Sequence, residues 1–503
     1  MKLVNVVGEK EKWLSKGYEV FSYDREKMIK ETKENPEWVH FGVGNLFRAF
    51  QAVYCDKLLD QGILTKGITA VGGRDSVAID DYFRKFDNLH IAVTLKGNGD
   101  ISKRVVGSIA ESLKIEDTER LEEIFEKPSL KVASFTVTEK GYVVSESDTN
   151  EAFMAKVTAL LHHRYLNGGY PITLSSHDNC SHNGDVLKKA IVFFAKRYND
   201  ESFLNYIEEK VSFPIAMIDK ITPRPNIKIA KILEDDGVEE VKELDINHYM
   251  NCFVNAEETQ YLVIEDKFTN GRPAWEKAGI IYTDRQTVDK VEKMKVGTCL
   301  NPVHTSLAVY GCLLDHHLIC EEMSDEVLNK LAKHIGYDEG LPVVVDPKIL
   351  NPKEFIDTVI NDRLPNPYMP DAPQRIAMDT SQKLPVRFGE TLKAYLNRNE
   401  DISKLTYIPL VFAGWLRFLT GINDKGEEFE IPSDPMLEEL RPIMSKYKLG
   451  DTVKKEDILS ILKNDKIFGV DLEEYNLADK VVGYLNEELQ GVGSVRKTLE
   501  KYM

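Results

Sequence analysis

The stretch WVHFGVGNLFRAFQAVY, residues 38–54, gives the clearest indication of the fold. Its first four residues predict a short buried strand, and the apolar residues from position 46 onward recur at helical spacing. Two glycines separate the strand from the helix, which is the context of a dinucleotide-binding turn. Glycines there let backbone N–H groups approach a pyrophosphate at a helix N-terminus. The residues predicted to contact the dinucleotide are Gly42, Gly44, Asn45, Leu46 and Arg48.

The third glycine of the GxGxxG pattern is missing, since Phe47 stands in its place. The stretch therefore also fits an ordinary strand-to-helix turn. A second strand is predicted in GITAVGGRD, residues 67–75, and the residues after such a strand usually meet the adenosine ribose. Asp75 suits the ribose hydroxyls of NAD, whereas Arg74 suits the 2′-phosphate of NADP, so both cofactors stay open.

Further strands are predicted along the first half of the chain, and residues 105–126 combine a strand with a charged helix. The predicted strands cover residues 90–95, 131–138, 172–176, 213–223 and, as the last one, 261–266. From about residue 288 strand patterns fade, and helices are predicted at 325–335, 355–361 and 405–419. We expect an α/β protein, with a Rossmann-like doubly wound sheet domain over residues 1–285 and a mostly α-helical domain over 286–503.

The composition of the chain argues against some classes of binding partner. The chain has 503 residues and a formal net charge of -17, which argues against nucleic acid or an anionic membrane surface as a partner. No stretch approaches the ~20 apolar residues of a membrane helix, and the charged N-terminus does not resemble a signal peptide. The six cysteines form no CxxC pair, as expected for reduced thiols. We therefore expect a cytoplasmic protein that acts on a small molecule.

Two polar stretches carry candidate chemistry. The strand at 172–176 ends in HDNCSHNG, where His177, Asp178 and His182 could suggest zinc. No partner ligands recur at metal-site spacing, so no metal is expected. The stretch KMKVGTCLNPVH, residues 293–304, holds an amine, an amide and an imidazole. These are the groups that an alcohol oxidation needs as base, oxygen donor and substrate contact.

Segments along nearly the whole chain, taken in order, resemble the long-chain mannitol dehydrogenase family of polyol dehydrogenases. The matching segments are 42–49, TVTEKGY at 136–142, DN at 178–179 with NG at 183–184, DKITP at 219–223, VIED at 263–266 with GRP at 271–273, Asn301 with His304, RIAMD at 375–379 with SQK at 381–383, and AGWLR at 413–417. The family includes mannitol 2-dehydrogenase, fructuronate reductase and tagaturonate reductase.

The resemblance implies a zinc-independent, NAD(P)-dependent enzyme whose active site lies between the two domains. It implies that Lys295 is the catalytic lysine, that Asn179 and Asn301 form the oxyanion hole, and that the substrate is oriented by Asp219, His304, Arg375 and Lys383. A lysine serves as a base near neutral pH only if burial or nearby cations lower its pKa. Arg375 and Lys383 could supply such cations.

The expected reaction interconverts a keto-sugar acid and its aldonate, with fructuronate and mannonate preferred. The sequence around 381–385 and 413–424 is most similar to the fructuronate branch. Fructose and mannitol, or tagaturonate, are the alternatives. A nucleotide-binding protein without activity is a further alternative, but it would be expected to have lost the lysine, which is present here.

The spacing of the catalytic stretch departs from the family pattern. Four residues separate the lysine from the asparagine in the family, whereas five separate Lys295 from Asn301 here. One helical residue turns ~100°, so on a regular helix Lys295 would face about 180° away from His304. A π-bulge between Val296 and Cys299 would absorb the extra residue. Otherwise the helix stays regular and Lys293 becomes the base.

Overall fold

The computed structural model describes residues 1–73, 76–243 and 250–503. The chain forms two compact units, Met1–Asp289 and Lys290–Met503. The strands of the first unit are β1 (Tyr18–Val20), β2 (Trp38–Phe41), β3 (Ile68–Gly72), β4 (His90–Leu95), β5 (Ile101–Val106), β6 (Ile109–Lys114), β7 (Val132–Phe135), β8 (Ile172–Ser176), β9 (Val211–Ser212), β10 (Ala216–Asp219), β11 (Phe253–Glu257), β12 (Tyr261–Glu265) and β13 (Ile281–Thr283).

The largest sheet within the described residues has six strands in the order β6-β3-β2-β7-β8-β9. All of its neighbouring strands pair in parallel. This is the strand order of a doubly wound dinucleotide-binding sheet, in which ligands bind beyond the carboxyl ends of the two central strands. The prediction of a Rossmann-like domain is therefore confirmed, with β2 and β7 at the centre.

Side chains alternate across this sheet and build a core on each face. Val39 and Phe41 of β2 pack in the core that also contains residues of β7, β8 and the helices beyond them. Trp38 of the same strand packs in the opposite core, against Tyr54 and Trp275. Parallel strands that are buried on both faces read as continuous apolar runs, which is why the sequence revealed them.

Two smaller sheets complete the first unit: one has the order β1-β5-β4-β11, the other β10-β12-β13. The expectation that residues 261–266 form the last strand is wrong, because β13 follows and pairs in parallel with β12. Strand β11 also went unpredicted, since polar residues interrupt its apolar pattern. Its Asn255 and Glu257 are buried because they accept hydrogen bonds from the backbone N–H groups of Asn226 and Ile221, respectively.

The helices that begin in the first unit are α1 (Lys10–Ser15), α2 (Arg25–Glu34), α3 (Ala52–Asp60), α4 (Ser76–Ala78), α5 (Thr118–Glu126), α6 (Phe153–Leu166), α7 (Asn183–Ala195), α8 (Glu201–Lys210), α9 (Ile227–Asp235) and α10 (Arg285–Met294). Helices α5, α6 and α7 pack against each other in chain order. Among the described residues, no helix has both the length and the apolarity that a membrane crossing requires.

The second unit is mostly helical, as predicted, and α10 leads into it. Its helices are α11 (Asn301–Leu313), α12 (Ile319–Ser324), α13 (Glu326–Lys333), α14 (Pro352–Thr358), α15 (Pro373–Ile376), α16 (Thr380–Leu384), α17 (Glu390–Asn397), α18 (Tyr407–Phe418), α19 (Leu437–Met444), α20 (Leu459–Leu462), α21 (Asp465–Phe468), α22 (Ala478–Glu488) and α23 (Ser494–Tyr502). Helix α18 is buried over residues 408–418 and packs against α11 and α22.

A hydrogen-bonded group fixes α11 to its neighbours. The Tyr310 hydroxyl lies 2.7 Å from the Leu410 carbonyl oxygen and 2.7 Å from Glu488 Oε1. Burial raises the pKa of Glu488 to about 8. Because a hydroxyl has a single proton, a protonated Glu488 supplies the proton for one of the two bonds. The helix that carries Asn301 and His304 is thereby anchored at its far end.

Several helices contain π-helical segments, in which the hydrogen bond spans five residues. Within the described residues these segments are Phe47–Gln51, Ile79–Phe83, Lys295–Cys299, His334–Gly340, Val359–Arg363 and Pro385–Gly389. Such segments are common at functional sites because they turn side chains away from regular helical positions. Four cations that the site description uses lie in these segments: Arg48, Lys295, Arg363 and Arg387.

Candidate active site

The glycine turn follows β2 at the centre of the six-stranded sheet. Gly42 has φ 102°, and a Cβ there would lie 2.1 Å from the Thr136 carbonyl oxygen, so only glycine fits. Gly44 is exposed, and a Cβ there would meet no atom within 4 Å. The helical segment begins at the next residue, with Asn45 and Leu46 partly exposed. The turn thus offers open space next to backbone N–H groups at a helix start, which suits a dinucleotide pyrophosphate.

Arg48 points into the protein interior. Its side chain is fully buried, and its Nη2 donates to the Asn251 carbonyl oxygen at 2.5 Å. Burial lowers the pKa of this guanidinium to about 10. In this conformation Arg48 links its helix to the segment before β11, whereas the sequence predicted a contact with the cofactor. The other two candidates for adenosine recognition, Arg74 and Asp75, lie outside the described residues.

The loop after β8 carries Asn179, which is exposed to solvent. Hydrogen bonds of Asp178 and Asn183 fix this loop before and after Asn179. Asp178 accepts hydrogen bonds from the backbone N–H groups of Val137 and Thr138 at 3.0 and 2.8 Å. Asn183 Nδ2 donates to the Asp178 carbonyl oxygen at 2.9 Å. The loop is therefore fixed to the exit of the neighbouring strand β7, at the carboxyl edge where the sheet binds ligands.

Asp219 is the last residue of β10 and is buried. Asn183 ties its strand to the same loop, because its Nδ2 and Oδ1 bond the carbonyl oxygen and N–H of Ala216 at 2.9 and 2.8 Å. Asn179, the third residue after β8, and Asp219, the last residue of β10, thus lie on segments that a single asparagine connects.

The two histidines of the loop serve local structure. His177 is fully buried between Gln51 and Ser175, and burial lowers its pKa to about 3. His182 is exposed and lies 3.3 Å from Asp185 and 3.5 Å from Asp289. Across the described residues, no group of three or more His, Cys, Asp or Glu side chains could hold a metal ion.

The predicted π-bulge is confirmed in the second unit. Lys295–Cys299 is π-helical, and the Leu300 N–H bonds the Lys295 carbonyl oxygen at 3.1 Å. The Thr391 hydroxyl donates to the Gly297 carbonyl oxygen, which the bulge leaves available. With one residue absorbed, Lys295 lies about 80° from His304 around the helix instead of about 180°. Lys295 is only 5% exposed, whereas Lys293 is exposed to solvent.

Asn301 and His304 lie on the first turn of α11. His304 Nε2 is 3.8 Å from Asp371 Oδ2, and its side chain is 16% exposed. Burial lowers the pKa of His304 to about 4, with Asp371 opposing the shift and the cations Arg387, Arg375 and Arg363 adding to it. His304 is therefore a neutral imidazole near pH 7, able to donate one hydrogen bond and accept another.

Arg375 and Lys383 belong to the same group of side chains. Arg375 is largely exposed and pairs with Asp371, the carboxylate that also faces His304. Lys383 Nζ donates to the Ile376 carbonyl oxygen at 2.9 Å. Burial, followed by the charge of Arg387, lowers the pKa of Lys383 to about 8. Within this group of side chains, Lys383 is thus an amine with a lowered pKa.

Arg387 is a member of this group that the sequence did not reveal. It lies in the π-helical segment after α16, where its Nη1 donates to Thr305 Oγ1 and lies 3.4 Å from the Asn301 carbonyl oxygen. Burial lowers the pKa of Arg387 to about 10. Its position four residues after Lys383, on one face of a helix, was the signal that could have identified it.

Comparisons with known proteins agree on one family. The model described as the mannitol dehydrogenase Rossmann domain matches residues 36–277, and that described as the mannitol dehydrogenase C-terminal domain matches residues 287–490. A D-mannonate oxidoreductase of Thermotoga maritima is 46% identical over 510 residues, covering 95% of this chain and 94% of that protein.

Solved structures show the same fold over both units. A substrate-free D-sorbitol dehydrogenase superposes with a TM-score of 0.78 at 26% identity, covering 95% of this chain and 97% of that one. Pseudomonas fluorescens mannitol 2-dehydrogenase, solved as a ternary complex with NAD and D-mannitol, gives a TM-score of 0.68 at 26% identity. That match covers 97% of this chain and 96% of the other.

Proposed function

The chain belongs to the mannitol dehydrogenase family and is an oxidoreductase, and on that premise we propose that it interconverts a keto-sugar acid and its aldonate, with fructuronate and mannonate as the pair. The observation that carries the choice of an acid is the group of cations on the second unit. Arg375 and Arg387 lie close enough to His304 to lower its pKa, and the same two arginines lower the pKa of Lys383. Such cations bind a substrate carboxylate through charge-assisted hydrogen bonds.

NAD is the cofactor that the family and the fold support. Gly42, Gly44 and the helix start at Asn45 and Leu46 fit its pyrophosphate, because the Cβ position of Gly44 is open and the strand order is that of a dinucleotide-binding sheet. When bound, the reduced cofactor supplies the hydride for the ketone carbon. Residues 1–285 would then serve as the cofactor domain and 286–503 as the substrate domain.

The roles of the side chains follow from their chemistry. Lys295 delivers the proton to the alkoxide oxygen during reduction and removes it during oxidation. The amides of Asn179 and Asn301 donate hydrogen bonds to that oxygen as its negative charge develops. Neutral His304 orients a substrate hydroxyl, Asp219 accepts from another, and Arg375 and Lys383 bind the carboxylate.

The net charge of -17 supports a small-molecule substrate rather than nucleic acid. The six cysteines are free thiols, which supports a reducing, cytoplasmic location. Neutral ketoses are the second candidate substrates, because the family models and the mannitol 2-dehydrogenase structure match both units.

Oxidation of NADH and of NADPH, followed by absorbance with fructuronate, tagaturonate and fructose, tests the proposal. We expect the highest kcat/KM with fructuronate and NADH. A higher kcat/KM with fructose would favour the mannitol reaction, and one with tagaturonate would favour the epimeric acid. Tight NADH binding without turnover of any of the three sugars would favour a nucleotide-binding protein.

A further inference from the structure

Thr138, in the turn after β7, has an unusual backbone conformation. Its φ is 66° and its ψ is 160°, a combination that is essentially restricted to glycine and that a β-branched residue adopts only when its surroundings hold it. Nothing in the local sequence favours this conformation. The turn must therefore be held by contacts from elsewhere in the fold.

Asp178 provides those contacts. Its Oδ2 accepts from the Val137 N–H at 3.0 Å and its Oδ1 accepts from the Thr138 N–H at 2.8 Å. The Tyr142 hydroxyl donates to the same carboxylate. Asp178 and Tyr142 are 6% and 3% exposed, so water competes little for these bonds. One buried carboxylate thus accepts three donors from the strained turn and the residues after it.

The turn held by Asp178 lies beside the glycine turn. The carbonyl oxygen of Thr136 is the atom that would touch a Cβ on Gly42, and the Thr136 N–H bonds the Phe41 carbonyl oxygen at 2.9 Å. The residue after Asp178 is Asn179, and Asn183 fixes the Asp178 carbonyl oxygen. Asp178 therefore joins the cofactor-binding edge of the sheet to the loop that carries the proposed oxyanion donor.

We propose that Asp178 is a positioning residue for hydride transfer, which clamps the strained Val137–Thr138 turn and thereby sets the place of Asn179 relative to the cofactor-binding turn. Asp178 touches no reacting atom and acts through the two segments that it joins. The inference rests on the proposed function for its effect on turnover, whereas its effect on the turn is independent of any substrate.

The test combines Asp178→Asn with Thr138→Gly. Different oxygens of Asp178 accept from the two backbone N–H groups, so a carboxamide, with one acceptor oxygen, cannot keep both bonds in the observed geometry. We expect kcat with fructuronate and NADH to fall roughly 100-fold, as for a misplaced catalytic geometry, with little change in KM for the sugar. Glycine adopts the Thr138 conformation without strain, so Thr138→Gly should restore at least about tenfold of kcat in the Asp178→Asn protein.

Asp200→Asn is the matched control. Asp200 caps α8 by accepting from the backbone N–H groups of Ser202 and Phe203 at 2.9 and 3.1 Å. Both bonds end on Oδ1, an atom that asparagine keeps, and asparagine caps helices about as well as aspartate. Asp200→Asn therefore removes a carboxylate charge without losing these bonds, and it should change neither kcat nor the effect of Thr138→Gly on the melting temperature.

Melting temperature and NADH affinity, followed by the quenching of protein fluorescence, separate this inference from the proposed function. Even if the wild type reduces none of the three sugars, Thr138→Gly should raise the melting temperature of the wild type more than that of Asp178→Asn, because the turn is fully strained only where the clamp holds it. If Asp178→Asn does not fold, Tyr142→Phe weakens the same clamp, and Thr138→Gly should stabilise that variant less than the wild type. Unchanged kcat in a folded Asp178→Asn protein, or a melting temperature that Thr138→Gly raises as much in the clamp variant as in the wild type, would overturn the proposal.

Discussion

The two units position their candidate site residues in opposite ways. In the first unit the site residues follow strands, and the groups presented are backbone N–H groups, the Asn179 amide and the Asp219 carboxylate. In the second unit they lie on helices and π-helical segments, and cations dominate around His304. The sheet of the first unit thus leaves open space at a glycine turn, whereas the interrupted helices of the second unit gather cations around His304.

Removing the lysine of the π-bulge should have the greatest effect on activity. Lys295→Ala should lower kcat by roughly 100- to 10,000-fold, since it removes the proposed acid–base group, while NADH affinity stays the same. Lys293→Ala, two residues earlier and exposed, is the control and should be mild. The reverse pattern in steady-state kinetics would move the chemistry to Lys293.

Cofactor binding should depend on the first unit alone. Gly44→Val fills the open space above the turn, where a Cβ meets no protein atom within 4 Å, so the fold should persist while NADH affinity falls by at least about tenfold through steric exclusion. Gly483→Val, also in open space but in the second unit, should bind NADH normally. Fluorescence titration measures both, and a Gly44→Val protein with wild-type affinity would refute the assignment of the turn.

Selectivity for the acid should depend on the second unit. Arg375→Leu removes a charge-assisted contact of roughly 1.5–3 kcal/mol, so kcat/KM for fructuronate should fall more than tenfold further than kcat/KM for fructose. Arg441→Leu, on an exposed position of α19, should affect neither. Equal losses on both sugars would mean that Arg375 orients hydroxyls or, through its pair with Asp371, serves structure.

The smallest expected effect concerns the anchor of α11. Glu488 has a pKa raised from 4.5 to about 8 by burial, so the folded state binds the proton more tightly than the unfolded state. This residue therefore lowers stability progressively as pH rises from about 4.5 to about 8. Glu488→Gln removes the titration, and its melting temperature relative to wild type should rise between pH 5 and pH 8.

Glu487→Gln is the control for that comparison, because Glu487 is partly exposed and pairs with Lys501. It should show no such increase across the same pH range. A melting-temperature difference for Glu488→Gln that is equal at pH 5 and pH 8 would show that Glu488 is not protonated in the folded protein. Calorimetry at three pH values distinguishes a melting-temperature difference that grows with pH from one that stays constant.

The sequence predicted what depends on local pattern. Continuous apolar runs revealed the central strands, and counting residues between Lys295 and Asn301 predicted the π-bulge. It could not predict what depends on distant partners. Strand β11 is buried because remote backbone groups bond its polar side chains, Arg387 joins the site through α11, and the strain of Thr138 exists only because Asp178 holds it.

The most direct test of the proposed reaction follows the hydride from NADH into the sugar product. The wild-type protein is incubated with fructuronate and with NADH that carries deuterium at both positions of the nicotinamide C4, and the sugar product is analysed by mass spectrometry. The account predicts mannonate that contains one deuterium bound to carbon at the former ketone. Mannonate without deuterium would contradict it, and so would fructuronate that is not consumed while fructose, in a parallel incubation, is reduced to labelled mannitol.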